Sequence, residues 1–155
     1  MTKHQGLSTQ SKKAIAESLG RVLAETYALY LKTQNFHWNV EGRHFHDLHI
    51  MFEGQYKELA GAVDGIAERI RALGHYAPGG LALYARLSAI KDEDTVPNAD
   101  DMVRRLAEGH ETVAATSHAS LLQSQEAGDE PTADLMIERL AAHEKTVWML
   151  RSLLK

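Results

Sequence analysis

The chain has 155 residues, with 17 Lys and Arg against 21 Asp and Glu, a formal charge of −4. Its 44% hydrophobic and 25% charged residues suit one globular domain over 1–155 with a single core. No apolar run approaches a membrane span, no cysteine is present for a disulfide or a thiolate metal site, and the acidic balance disfavours broad electrostatic binding to DNA.

The first eight residues are polar, without the apolar core of a signal peptide, and read as a flexible tail. A cytoplasmic location is expected. A first helix should run from Ser8 or Thr9 to Asn39, because Ile15, Leu19, Val22, Leu23, Thr26 and Leu29 keep the apolar rhythm of a helix. Glu41-Gly42-Arg43 is a turn. A second helix is expected from His44 to Leu73, stopped by Gly74. The connection that follows is too long for a plain loop, and Leu81–Ile90 within it reads as a short helix. A third long helix should start at Ala99 to Asp101, where acidic residues suit the positive end of the helix dipole, and end at Gly128. Met102, Val103, Leu106, His110, Val113 and Ser117 share its inner face. A fourth should run from Pro131 to Leu154. No alternating strand pattern occurs. The expected architecture is all-α: four long helices with one long crossover, and a short helix between the second and third. The ferritin-like bundle is the commonest fold of this kind.

The second helix region carries the chemistry. His37, His49, Glu53, Asp64 and Glu68 are potential metal ligands, and both His49/Glu53 and Asp64/Glu68 are spaced four apart. On a helix each pair lies on one face, one turn apart. Imidazole mixed with carboxylate suits Fe(II), Mn(II) or Zn(II). Asp64 follows His49 by fifteen residues, roughly 22 Å along a straight helix, too far for one metal. Two copies of the helix, antiparallel about a two-fold axis near Tyr56 to Glu58, would bring the pairs together. Isologous contact would then give two such sites. Alternatively, each pair stands alone as a solvated face or a weak site. Gly54, Gly61 and Gly65 form an adjacent stripe, costly at about 1 kcal/mol each unless another helix approaches closely. The only Glu-x-x-His is Glu41 to His44, in the turn, so the usual di-metal motif inside a ferritin-like bundle is not supported.

Three segments resemble the Dps family of mini-ferritins: FHWNVEG (Phe36–Gly42), HDLHIMFEGQYKEL (His46–Leu59) and DGIAERIRALG (Asp64–Gly74). The resemblance continues more weakly through Thr132–Asp134 and His143–Arg151. It implies a ferroxidase: a shell of twelve subunits, built from two-fold dimers, that oxidises Fe(II), preferably with hydrogen peroxide, and stores the ferric product. It also implies a di-iron site in which His37, His49 and Glu53 come from one subunit and Asp64 and Glu68 from its partner. Zinc is a possible substitute metal. Many family members have aspartate where this chain has Glu53, which keeps the charge and lengthens the arm by one methylene.

The remaining features divide between chemistry and packing. Trp38, beside His37, either intercepts oxidising equivalents or packs, and Trp148 is assigned to packing. His44 and His46 flank the site, while His110, His118 and His143 read as structural. Glu126, Asp129, Glu130 and Asp134 form an acidic cluster that, by the resemblance, lines a three-fold pore. Lys3, Lys12 and Lys13 are a thin footprint for DNA, and a shell that compacts DNA around a structural metal is the competing reading.

Overall fold

The computed structural model describes residues 6–155, so most of the expected flexible tail, Lys3 included, lies outside the described residues. Five helices form: α1 (Thr9–Asn39), α2 (Phe45–Ala72), α3 (Leu81–Leu87), α4 (Ala99–Ala127) and α5 (Glu130–Ser152). No strand occurs among the described residues. The protein is an all-α, four-helix bundle with the short α3 in its long crossover.

Local chemistry fixes most boundaries. Ser8 caps α1, its hydroxyl accepting from the Ser11 amide at 3.1 Å. Asn98 caps α4 in the same way, through the Asp101 amide at 2.9 Å. The α4–α5 turn is set by Gly128 at φ 78°, a left-handed conformation that glycine adopts without strain. Asp129 then caps α5 by accepting from the Thr132 amide at 3.2 Å. The crossover helix stops at Leu87, short of the expected Ile90. The Ser88 hydroxyl accepts from the Ile90 amide at 2.9 Å, which folds the chain out of the helix.

α1 packs against α2 and α4, α5 packs on α4, and α3 lies on the outside of α1. Gly109 on α4 permits a close approach to α1, since a Cβ there would sit 2.6 Å from Leu29 Cδ1. The interior divides into two apolar clusters. One is centred on Leu29, Phe36, Phe52 and Leu106, the other on Leu19, Leu23, Ile66 and Met136. Thr26 on α1, Ser117 on α4, and Arg139 and His143 on α5 are buried polar residues. The expected inner face of α4 is buried throughout, from Met102 to Ser117.

Candidate metal centre

The sharp turn between α1 and α2, with Gly42 at φ 114°, sends the chain straight back. His37, in the last turn of α1, therefore meets His49, in the early part of α2. Their rings stack with centroids 3.9 Å apart and planes 14° from parallel. His37 Nδ1 lies 2.7 Å from the His49 carbonyl oxygen, and His49 Nδ1 lies 2.7 Å from the His37 carbonyl oxygen. A carbonyl only accepts, so both Nδ1 atoms carry the proton and donate. In the neutral ring this places the lone pair on Nε2, the tautomer that metal-binding histidines adopt when a second hydrogen bond fixes it. His37 is buried and His49 half-buried.

Glu53 stands one turn beyond His49. Its carboxylate pairs with Lys57 at 3.1 Å. The hydrogen bond and charge of Lys57 hold the Glu53 carboxyl below its ordinary pKa, with smaller contributions from His37 and His49. Asp64 and Glu68 are exposed, further along α2. A hydrogen bond and the like charge of Asp64 raise the Glu68 carboxyl above its ordinary value. Two adjacent carboxylates repel each other, and a cation between them relieves the repulsion.

Within one chain the five residues do not converge. Among the described residues, no group of three or more His, Asp or Glu side chains is close enough to hold a metal ion. Gly54, Gly61 and Gly65 have no neighbour within 4 Å of a built Cβ, so the stripe faces away from the subunit's own helices.

Other expectations need revision. Asp129 cannot line a pore: it is 1% exposed, caps α5 and pairs with Arg69 at 2.9 Å. Glu126, Glu130 and Asp134 remain exposed. Trp148 is 66% exposed and packs into neither core cluster, and Trp38 is 60% exposed. His44, His46 and His118 are exposed as well. His110 and His143, expected as structural, form a buried pair with Nδ1 atoms 2.8 Å apart. The sequence reading missed Tyr56, whose ring stands 5.2 Å from that of His37. Its place two turns after His49, on the same helix face, was the available signal.

A bundle with one long crossover and an imidazole–carboxylate face on its second helix defines a ferritin-like protein, and the ferritin-like domain family matches residues 16–155. A DNA protection during starvation protein of Brevibacillus brevis is 34% identical, the alignment covering 96% of this chain and all of that one. The crystal structure of a Dps protein from Vibrio cholerae O1, described as one of the ferritin-like diiron-carboxylate proteins, superposes with a TM-score of 0.94 at 31% identity, covering 97% of this chain and 94% of the other. A Dps structure from Bacillus brevis gives 0.92 at 34%, covering 96% and 100%. This chain belongs to the Dps family of ferritin-like proteins.

Proposed function

We propose that the protein is an iron-storing mini-ferritin that oxidises Fe(II) at a site shared by two subunits. The observation that carries this reading is the reciprocal Nδ1 lock of His37 and His49, which leaves both Nε2 atoms ready for a cation. The exposed Asp64/Glu68 pair on the same helix supports it, because two carboxylates on an open surface want a positive partner. So do the outward glycine stripe and the failure of the five residues to converge within one chain. Two α2 helices crossing about a two-fold axis bring His37, His49 and Glu53 of one subunit to Asp64 and Glu68 of the partner subunit. The relatives described as Dps and as diiron-carboxylate proteins point the same way.

In this site the imidazoles bind Fe(II) as neutral donors, and the carboxylates favour the ferric product by charge. Glu53 exchanges Lys57 for the metal. Two Fe(II) ions give one electron each to hydrogen peroxide. The O–O bond breaks, and two protons from solvent complete two waters. Delivery of both electrons together avoids release of hydroxyl radical. The Fe(III) is held in a hollow shell, a dodecamer of two-fold dimers. Zn(II) competes for the same donors. Protection of DNA then follows from removal of iron and peroxide. Lys12 and Lys13 are exposed near the start of α1 and supply a modest direct contact, whose signature is a gel shift that fades steeply with salt.

The test is anaerobic Fe(II) loading followed by hydrogen peroxide, tracking ferric absorbance and peroxide consumed. Fast oxidation near two irons per peroxide supports the reading. Oxidation no faster than in buffer overturns it. Subunit sharing is tested by mixing His49→Ala with Asp64→Ala subunits after dissociation. In a mixed dimer both lesions fall in one site and leave the other intact, so activity returns. No recovery in verified mixed dimers counts against the shared site.

A further inference from the structure

The chain has five tyrosines, and four of them form an unbroken ladder that starts at the histidine pair. Tyr56 meets His37 edge-on at 5.2 Å. Tyr30 meets Tyr56 at 6.0 Å, Tyr27 meets Tyr30 at 5.6 Å, and Tyr84 meets Tyr27 at 5.0 Å, all between ring centroids. The ladder crosses from α2 through α1 to α3. It ends at a surface groove of about 330 Å³ lined by Tyr27, Leu31, Leu81, Tyr84 and Asp92. There the Tyr84 hydroxyl donates to the Pro78 carbonyl at 2.6 Å. The rings touching the histidine pair are Tyr56 and Phe45, and Phe45 leads to no further ring among the described residues. The fifth tyrosine, Tyr76, stands apart, 90% exposed under Arg71.

Packing alone asks only for aromatic rings, and phenylalanine supplies those without a polar group to satisfy. Phenols in sequence supply something more: each can lose one electron and its hydroxyl proton and hand the vacancy to the next. We propose that Tyr56, Tyr30, Tyr27 and Tyr84 are an escape path for one-electron oxidising equivalents, leading from the metal-binding histidines to the outer groove. The inference rests on the iron-oxidising reading above. Its occasion is the miscarried reaction, in which a single Fe(II) gives one electron to peroxide. The O–O bond then breaks to hydroxide and hydroxyl radical. The radical takes a hydrogen atom from the Tyr56 hydroxyl and becomes water. Tyr30 restores Tyr56 by giving up an electron and a proton, Tyr27 restores Tyr30, and Tyr84 restores Tyr27. A soluble thiol returns a hydrogen atom to Tyr84 at the groove, and two thiyl radicals couple to a disulfide. The histidine ligands are thereby spared oxidation.

The test combines two readouts in one sample of assembled protein. Fe(II) and excess hydrogen peroxide are added with a nitroso spin trap and no thiol, and peptides are mapped by mass spectrometry beside the ferric absorbance. Adducts are expected on Tyr84 in preference to the far more exposed Tyr76. In Tyr30→Phe, which keeps the ring, the Tyr84 adduct is lost, adducts collect on Tyr56, and oxidation of His37 and His49 rises. An unchanged Tyr84 adduct in Tyr30→Phe, or labelling that follows exposure with Tyr76 first, overturns the path while leaving fast iron oxidation intact. If iron oxidation itself is no faster than in buffer, the functional reading fails, and an iron-free arm decides the path. A ruthenium photo-oxidant is attached to a Lys57→Cys variant, unique because the chain has no cysteine. Flash–quench oxidation should put the adduct on Tyr84, and Tyr30→Phe should abolish it. Adducts confined to Tyr56 in the parent ladder overturn the proposal.

Discussion

The two histidine pairs of this molecule use the same side chain to opposite ends. His37 and His49 each turn Nδ1 onto a carbonyl and keep Nε2 free. His110 and His143 turn Nδ1 onto each other. Arg139 donates to His143 Nε2 at 3.2 Å, so that nitrogen is an acceptor and His143 carries its proton on Nδ1. His143 then donates to His110 Nδ1, which leaves the His110 proton on Nε2, without a partner among the described residues. Arg139 is itself anchored to Glu58 of α2, one bond being 3.1 Å. The guanidinium disfavours a cation there, and among the described residues no carboxylate charge acts on either ring. What separates a histidine left open to a metal from a core histidine is the hydrogen bond at its other nitrogen and the charge beside it.

The largest effect should come from breaking the first pair. His49→Ala with Asp64→Ala removes a donor from each half of the proposed site. Iron oxidation should fall to the buffer rate, and Zn(II) affinity should drop by at least the roughly 10–100-fold that lesser, supporting changes around metal ligands cause. Calorimetric titration checks the affinity. The matching change at the second pair, Arg139→Ala, should leave the initial rate of iron oxidation intact and act on stability. It strips a buried acceptor at His143 Nε2 of its donor, at a cost of about 1–3 kcal/mol in denaturant unfolding. If Arg139→Ala abolished iron oxidation with stability unchanged, the contrast between the pairs would collapse.

Acid should probe the sealed pair more gently. Burial lowers the His110 pKa to about 3 and the His143 pKa to about 2, with Arg139 adding to both. In the unfolded chain both titrate near 6.5. Between these limits the unfolded state binds more protons, so stability is full above pH 6.5 and is lost as pH falls below it. Each histidine contributes a slope of at most about 1.4 kcal/mol per pH unit. Denaturant unfolding at pH 7 and pH 5 should reveal this loss. His110→Gln with His143→Gln should flatten the dependence, even if the variant starts from lower stability.

The difference between the pairs was only half legible in the sequence. The helices were readable because proline, glycine and acidic first turns punctuate a strong apolar rhythm: Asp101, Gly128 and Pro131 mark the two later helices almost to the residue. The His49/Glu53 and Asp64/Glu68 spacings were local, within one turn, and so visible. The His110–His143 bond joins residues 33 apart on different helices, and nothing in either helix alone announces it. Asp129 read as one acid among four, because its burial depends on Arg69, 60 residues away. The tyrosine ladder was hidden for the same reason. Its steps cross between α1, α2 and α3, and only the i,i+3 step from Tyr27 to Tyr30 lies within a helix.

The smallest effect concerns Lys57, which holds the Glu53 carboxylate of the proposed site. Its ammonium pairs with Glu53, and the pairing raises the Lys57 pKa while lowering that of Glu53. In the iron-oxidising reading, the metal must displace this ammonium to gain the carboxylate. Lys57→Gln removes the competitor and keeps most of the side chain's length. Because the pair lies at the surface and is screened by solvent, its loss should leave the unfolding midpoint unchanged. Zn(II) binding should tighten modestly, and the gain should shrink as salt is added, since salt already weakens the pair that the metal must break. Weaker binding in Lys57→Gln would mean that the ammonium positions Glu53 for the metal instead of competing with it.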